Sequence, residues 1–201
     1  VGSLPPPEPT KTTRLEIVNT EHNLVGHLSA MTVQLGDVDF FEAKQATLGP
    51  DPLREDADRE RLWQKLQTTR KSVGESLMDQ TYVAGLGNIF RAEVLYKARI
   101  HPEQPGKSIT RDQFDLLWWH SVECMRRAYQ VGSIVTVDPD DADRLGPPWT
   151  RRYVYNQEHC GNCASKIKSW PDRNRRTVYA CLSCQPLIED INDQEEDASI
   201  P

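Results

Sequence analysis

Four cysteines near the carboxyl end of the chain are the residues whose spacing points most directly to chemistry. They form two Cys-x-x-Cys pairs with 17 residues between the pairs: Cys160, Cys163, Cys181 and Cys184. Four thiolates bind Zn2+ as a tetrahedron, and each Cys-x-x-Cys turn directs two sulfur atoms at one ion. Because four protein ligands leave no position for water, the pattern predicts a single structural zinc ion. Disulfides or free thiols are the alternative, and His159 could in principle serve as a ligand.

The segment between the two cysteine pairs predicts a β-hairpin. Residues 166–170 and 177–181 alternate in the manner of strands, and residues 171–175 supply the turn. The turn and the second strand carry three arginines: Arg173, Arg175 and Arg176. A rigidly held arginine binds a phosphate through two parallel hydrogen bonds. The alternative is that the metal only replaces a hydrophobic core in a small module, and that the arginines are ordinary surface residues.

A second candidate phosphate site lies in a glycine-containing turn between two predicted helices. Gly85 and Gly87 permit backbone angles that other residues avoid. Asn88 stands where the second helix should begin, and it is expected to cap that helix. The unpaired N–H groups of a helix start can hold a phosphate, to which Asn88 would add a donor and Arg91 a cation. A Gly-x-Gly pair is a weak signal by itself, so a turn that only packs is the alternative.

The charges are distributed unevenly along the chain. The formal net charge of −6 argues against a polyanionic partner, but residues 187–201 alone carry six acids and no Lys or Arg. Residues 149–186 carry seven Lys and Arg against two acids. This local excess favours a surface that meets phosphates, although a solvated basic face is the alternative. The acidic tail is predicted to be disordered.

The remaining sequence predicts the elements that position these residues. Three strands are expected at residues 14–18, 24–28 and 31–35, and so few strands make an incomplete sheet. Helices are expected at residues 40–48 and 56–69 and on both sides of the turn within 73–100. A further helix opens with the capping-box pair Thr110 and Gln113, and its apolar pattern makes Cys124 a core thiol. Residues 131–148 are predicted to form a loop that includes an extended piece at 134–137.

Two of these motifs, in this order, resemble the Fpg/Nei family, which comprises formamidopyrimidine-DNA glycosylase and endonuclease VIII. The first is Asp79-Gln80, Gly85-Leu86-Gly87-Asn88, Arg91-x-Glu93-x-Leu95 and His101-Pro102. The second is the cysteine hairpin with Arg176-Thr177-Val178-Tyr179. The resemblance implies an α+β multidomain protein. It would comprise the last strands of a β-sandwich (1–37), a helix–two-turn–helix domain (38–148), a zinc-ribbon hairpin (149–186) and the tail.

The resemblance also implies roles for individual residues. Asn88 and Arg176 match residues that bind phosphates beside a flipped nucleotide, and Arg91 and Gln80 match positions that support the turn at DNA. Cys160, Cys163, Cys181 and Cys184 match the ligands of one structural zinc ion. The implied partner is double-stranded DNA with a damaged base or an abasic site, bound by a monomer. Gly74 stands where the formamidopyrimidine branch has a lysine, which favours the endonuclease VIII branch and oxidised pyrimidines.

The amino-terminal residues depart from the family pattern. The family's nucleophile is an N-terminal proline followed by glutamate, with a lysine on a hairpin of the β-sandwich. This sequence begins Val1-Gly2-Ser3-Leu4, and neither Pro5 nor Pro9 is followed by Glu. We therefore expect the segment that carries the catalytic residues to be missing, and we assign no catalytic residue.

Three functions are compatible with these observations. The first is a DNA glycosylase with abasic-site lyase activity, represented here by a portion without its nucleophile. The second is a non-catalytic, zinc-dependent DNA-binding module, and the third is a zinc-ribbon adaptor that binds protein. No apolar run approaches the roughly 18 residues of a membrane span. No signal peptide is recognisable, so the cytoplasm or the nucleus is expected.

Overall fold

The computed structural model describes residues 2–3, 8–29 and 32–188. The chain divides between Ala46 and Thr47 into two compact units. Leu4, Met31 and the acidic tail from residue 189 onward lie outside the described residues. Among the described residues, no helix has both the length and the apolar character needed to cross a membrane.

The first unit contains a small antiparallel sheet. Its strands are β1 (Gly2–Ser3), β2 (Leu15–Asn19) and β3 (Leu24–Leu28), in the order β1-β3-β2. The prediction for 24–28 is confirmed, and that for 14–18 is confirmed with a shift of one residue. The predicted strand at 31–35 is wrong for its described residues 32–35, which are not paired with any described strand.

This sheet leaves much apolar surface in solvent. Ile17 is 54% exposed, and Leu15, Val18, Leu24 and Leu28 are exposed as well. Helix α1 (Val38–Thr47), which matches the helix predicted at 40–48, buries none of its residues. A sandwich would bury such a face against a second sheet, and the described residues of this unit provide no second sheet.

The second unit begins as a set of helices, three of which have side-chain caps at their starts. They are α2 (Arg59–Gln67), α3 (Val73–Met78), α4 (Asn88–Lys97), a 3₁₀ turn (Gly106–Ser108), α5 (Arg111–Val131) and α6 (Pro139–Leu145). Asp58 and Ser72 accept backbone N–H groups at the starts of α2 and α3. The predicted capping box of Thr110 and Gln113 is confirmed at the start of α5.

Helix α6 was not expected, because residues 131–148 were predicted to be a loop. Pro139 occupies the first turn together with Asp140 and Asp141, and this combination suits a helix start. The helix buries none of its residues, so it lacks the apolar periodicity by which helices are recognised. The extended piece expected at 134–137 is not a strand, although two of its N–H groups donate to the Arg151 carbonyl.

The unit closes with a two-stranded hairpin. Strands β4 (Lys168–Pro171) and β5 (Thr177–Ala180) pair antiparallel, with Lys168 opposite Ala180 and Pro171 opposite Thr177. The predicted hairpin is therefore confirmed, with ends that differ by one or two residues.

Helix α4 lies between two hydrophobic clusters, and every residue from Arg91 to Tyr96 is buried. One cluster joins its Val94–Leu95 face to α2, α3 and α5. The other joins Ala92 and Tyr96 to the chain around Tyr153 and to the cysteine hairpin. Cys124 is fully buried in the first cluster, and this burial raises the pKa of its thiol to about 12, so the expected core thiol is confirmed.

A buried carboxylate on α4 organises the segment that leads to the hairpin. Glu93 is fully buried, and it accepts hydrogen bonds from the N–H groups of Tyr153, Val154 and Tyr155 at 2.7, 2.9 and 2.8 Å. The Thr136 hydroxyl donates a fourth at 2.6 Å. Because each carboxylate oxygen accepts two donors, the burial of this charge is offset by a complete set of hydrogen bonds.

Replacing Glu93 with Gln should lower the free energy of unfolding by about 3 kcal/mol. The new amide nitrogen would face two donors, so hydrogen bonds are lost and buried N–H groups are left unsatisfied. Urea unfolding followed by circular dichroism measures the change. The exposed Glu103→Gln is the matched control and should stay within about 0.5 kcal/mol of the parent. An equal stability of the two variants would contradict this account.

Candidate nucleic-acid interface

The turn between α3 and α4 is held by Gly85 and by the side chain of Gln80. Gly85 has φ +86°, and a Cβ built there would lie 2.8 Å from the Met125 methyl carbon, so only glycine fits without strain. The Gln80 amide donates to the Leu86 carbonyl at 3.0 Å, and its oxygen accepts the Gly85 N–H at 2.8 Å. Gln80 therefore fixes the backbone that leads into α4.

Gly87 and Asn88 differ from their predicted local roles. Gly87 has φ −115°, which any residue adopts, and it is the N-cap of α4. Asn88 is the first helical residue and does not cap the helix. A Cβ built at Gly87 meets no atom within 4 Å, so the surface above the helix start is open.

The Asn88 side chain instead connects α4 to the hairpin. Its amide nitrogen donates to the Thr177 carbonyl at 3.0 Å, and its oxygen accepts from the Arg91 guanidinium. Thr177 directly follows Arg176. The structure thus brings Asn88 to the backbone of the residue that follows Arg176, 89 positions away in the sequence.

Arg91 lies inside the protein, contrary to the expectation that it adds a surface cation. Its side chain is 1% exposed, and its guanidinium donates to Asp172 at 2.6 Å and to the Thr177 carbonyl at 3.3 Å. Both of these partners belong to the hairpin, and the third partner of the guanidinium is the Asn88 side chain at the start of α4. Arg91 therefore joins α4 to the hairpin and does not present its charge to a ligand.

Asp172 shapes the hairpin turn while it pairs with Arg91. One of its carboxylate oxygens accepts the N–H groups of Asn174 and Arg176, both at 2.9 Å, and the other accepts Arg91. Burial alone would raise the pKa of Asp172. The Arg91 hydrogen bond, the Arg176 N–H and the Arg91 charge together outweigh that effect and hold the pKa below its usual value.

The exposed cations lie at the tip of this hairpin and just before α3. Arg173 pairs with Glu75 of α3 at 3.2 Å, and Lys71 pairs with Asp79 at 3.3 Å. Arg175 and Arg176 are exposed, and within the described part of the chain their guanidinium groups form no ion pair. The turn start, the helix start and these cations form one polar surface.

The four cysteines converge at the other end of the hairpin. Their sulfur atoms all lie within 4.8 Å of one another, and the separations Cys160–Cys184, Cys163–Cys181 and Cys163–Cys184 are 3.9, 3.5 and 3.6 Å. Four sulfurs at 2.3 Å from a tetrahedral metal ion would be about 3.8 Å apart, so this cluster could hold a metal ion. His159 is not part of the cluster, whereas the buried Tyr96 hydroxyl lies 3.3 Å from Cys160.

Two residues that hold this part of the structure in place, Asp172 and Glu93, were given no such role by the sequence analysis. Asp172 received no role beyond its charge, although an Asp at the start of a turn is a signal for local backbone hydrogen bonds. Glu93 entered only as part of a motif. Its partners lie 43 to 62 positions away in the sequence, so no local pattern could reveal them.

The sequence pattern of the formamidopyrimidine-DNA glycosylase H2TH domain matches residues 48–139. Endonuclease 8 1 of Mycobacterium tuberculosis H37Rv is 35% identical over 186 residues, which cover 89% of this chain and 68% of that protein. Formamidopyrimidine-DNA glycosylase of Legionella pneumophila strain Lens is 34% identical over 148 residues, which cover 71% of this chain and 53% of that protein.

Solved structures are similar over the same region. Fpg (MutM) from Thermus thermophilus superposes with a TM-score of 0.69 at 26% identity, covering 90% of this chain and 71% of that one. The complex of Lactococcus lactis Fpg with DNA containing an abasic site superposes with a TM-score of 0.61 at 29% identity. It covers 74% of this chain and 55% of that one, so the present chain spans only part of these relatives.

Replacing Arg91 with Met should lower the free energy of unfolding at neutral pH by roughly 3–5 kcal/mol, because Asp172 is left buried without its cation. Chemical unfolding measures the loss. Adding Asp172→Asn should restore part of it, since an amide oxygen can still accept the turn N–H groups without carrying a charge. Arg126→Met, at an exposed position on α5, is the control and should have little effect.

The cost of Arg91→Met should also depend on pH. The pKa of Asp172 is lower in the folded than in the unfolded protein, so the stability that it contributes is present above about pH 4. That contribution is lost as the pH falls from there through the folded-state pKa. The difference between parent and variant should therefore shrink near pH 3, and a constant difference from pH 7 to pH 3 would contradict the assigned pair.

Proposed function

The chain belongs to the Fpg/Nei family of DNA glycosylases, and on that basis we propose that its second unit binds double-stranded DNA at a damaged base or an abasic site. The observation that carries this proposal is the hydrogen bond from Asn88 to the Thr177 carbonyl. It joins the start of α4 to the hairpin at the residue after Arg176, and we propose that donors from both elements bind the DNA backbone there. A flipped nucleotide needs such a hold on the backbone next to it.

The donors at this site are suited to a phosphate. The first N–H groups of α4 have no partner within the helix, and they lie at the positive end of its dipole. The Asn88 amide carries two hydrogens, of which one binds the Thr177 carbonyl, leaving the second for a ligand. Arg176 adds a guanidinium that can bind bidentately. Gln80 and Arg91 do not contact the DNA in this proposal. They fix the backbone of the turn and of the hairpin, which carry the phosphate-binding donors.

The cysteine cluster supports the proposal of one structural zinc ion. Cys160, Cys163, Cys181 and Cys184 are the ligands, and their separations suit a tetrahedral ion with four sulfurs. The ion, when bound, holds the base of the hairpin rigid, as expected of a zinc ribbon. Rigidity there matters because Arg176 and the Asp172 turn stand at the far end of the same two strands.

Base-excision repair of oxidised pyrimidines is the activity that we propose for the whole protein. Gly74 supports the endonuclease VIII branch: its N–H donates to the Pro102 carbonyl at 2.9 Å, and a Cβ there would lie 2.7 Å from the same oxygen. A lysine would not fit at Gly74 without a shift of this backbone. The first unit then supplies the last strands of a β-sandwich within residues 1–37, and the protein acts as a monomer where DNA resides, in the cytoplasm or nucleus.

A non-catalytic DNA-binding module is the second candidate. The residues that form the phosphate site are donors and cations, and no nucleophile is assigned among the described residues. Both candidates predict DNA binding, but only the first predicts a Schiff base with an abasic site.

Borohydride trapping on abasic-site DNA separates the two candidates. We expect the 201-residue chain to bind this DNA; a covalent adduct would favour the glycosylase with lyase activity, and binding without an adduct would favour the non-catalytic module. An adduct on denaturing gels would establish lyase chemistry in this chain.

Arg176→Gln should weaken binding to a duplex with a tetrahydrofuran abasic-site analogue and should lower the dependence of log K on log salt by about 0.9, the value for one phosphate contact. Fluorescence anisotropy at several salt concentrations gives both quantities. Arg126→Gln changes the net charge equally and should leave the salt slope unchanged. Identical slopes for the two variants would remove Arg176 from the phosphate site.

Cys163→Ser should release zinc and disorder the hairpin, because the site would lose one of four ligands. Metal analysis of the purified protein gives the stoichiometry, for which we expect one ion in the parent chain. Cys124→Ser is the matched control, since that thiol lies in the helical core and should leave the zinc content at one. Full zinc content in Cys163→Ser would exclude this ligand set.

A further inference from the structure

A cleft lies between α3 and the tip of the hairpin, and Arg176 is one of the residues that line it. It encloses about 380 Å3 and is lined by Lys71, Glu75, Met78, Asp79, Arg173, Asn174 and Arg176. Arg176 borders this cleft and also precedes Thr177, which binds Asn88. A DNA strand held at Asn88 and Arg176 therefore passes the mouth of the cleft.

Two acids in this cleft are held very differently. The Asp79 carboxylate accepts the N–H and the hydroxyl of Thr81 at 3.0 and 2.8 Å, and it also binds Lys71. These contacts fix Asp79 as part of the turn. The Glu75 carboxylate, by contrast, has Arg173 as its one partner among the described residues, at 3.2 Å.

The pair of Arg173 and Glu75 is also asymmetric in its exposure. The Glu75 side chain is only 18% exposed and lies within the cleft, whereas Arg173 is 86% exposed. Glu75 contacts the Nε of Arg173, so the guanidinium has further donors to offer to an anion. Because Arg173 is largely solvated, this ion pair contributes little and is readily exchanged for another anion.

We propose that this cleft binds a second DNA phosphate through Arg173, and that Glu75 competes with this phosphate for the same guanidinium. This proposal rests on the proposed DNA-binding function. In the free protein, Glu75 holds the hairpin tip against α3. On the DNA, Arg173 turns to the phosphate, and the carboxylate left in the cleft repels the strand. Glu75 thus limits affinity for the backbone, which favours release from undamaged DNA.

The physical basis is the spacing of charge along DNA. Each strand carries one phosphate per roughly 3.4 Å of helix axis, so a strand fixed at one phosphate presents the next to adjacent side chains. Arg173, only three residues from Arg176 on the same tight turn, is placed to meet that next phosphate. The hydrogen bonds of Asp172 fix the backbone of this turn, so the Cα positions of the two arginines stay fixed while the Arg173 side chain turns.

The test is a mutant cycle on the full 201-residue chain with the tetrahydrofuran-containing duplex. Glu75→Gln should bind DNA roughly twofold to fivefold more tightly at low salt, in keeping with the loss of one weak surface ion pair. Arg173→Gln should bind more weakly and should reduce the salt slope by about 0.9. In the Arg173→Gln background, Glu75→Gln should gain no more than the control Glu103→Gln, an exposed carboxylate with the same charge change.

Three results would overturn the proposal: no gain in affinity for Glu75→Gln, a gain no larger than that of Glu103→Gln, or the same gain with and without Arg173. Failure of the DNA-binding function itself would be seen separately, as the absence of salt-dependent binding by the parent chain. Circular dichroism of each variant shows whether the fold is retained. If Glu75→Gln is unfolded, Glu75→Ala replaces it in the same cycle with the same expectations.

Discussion

The buried guanidinium of Arg91 is the interaction on which the arrangement of the second unit depends. A charge in the interior is costly unless it is paired and hydrogen-bonded, and Arg91 meets both conditions through Asp172, Asn88 and the Thr177 carbonyl. Because Asp172 also accepts the N–H groups of the hairpin turn, a single network fixes the turn, the hairpin and the start of α4. The two elements that we propose to hold DNA therefore form one rigid surface.

Helix α4 is the element through which this rigidity extends to the rest of the unit. Its buried acid, Glu93, fixes the backbone around Tyr153–Tyr155, and its Tyr96 hydroxyl reaches the Cys160 sulfur. Through these three side chains, α4 contacts the whole hairpin module. Arg91 binds the turn at its tip, Glu93 binds the segment that leads to it, and Tyr96 contacts its cysteine end. A zinc ion at the cysteines would complete this frame, because it would join the two Cys-x-x-Cys turns at the base of the hairpin.

The cations that remain at the surface are paired with two acids that differ in how many contacts hold them. Asp79 is committed to its turn, whereas Glu75 is held only by Arg173 among the residues that the structure describes. A surface that binds every phosphate strongly would remain on undamaged duplex, since backbone contacts carry no sequence information. Internal acids that compete for arginines are a direct way to keep such contacts weak until the distorted backbone engages the whole site.

The sequence by itself determined the family, the cysteine cluster, the hairpin and most helices, because these depend on spacing and periodicity within short segments. It misassigned Arg91 as a surface cation, Asn88 as a cap and residues 139–145 as loop, and it gave no role to Asp172. Only the tertiary structure decided these points. The partners of Asn88 and Arg91 on the hairpin lie more than 80 positions away, and whether a charged side chain meets solvent or a buried partner depends on packing that no local pattern encodes.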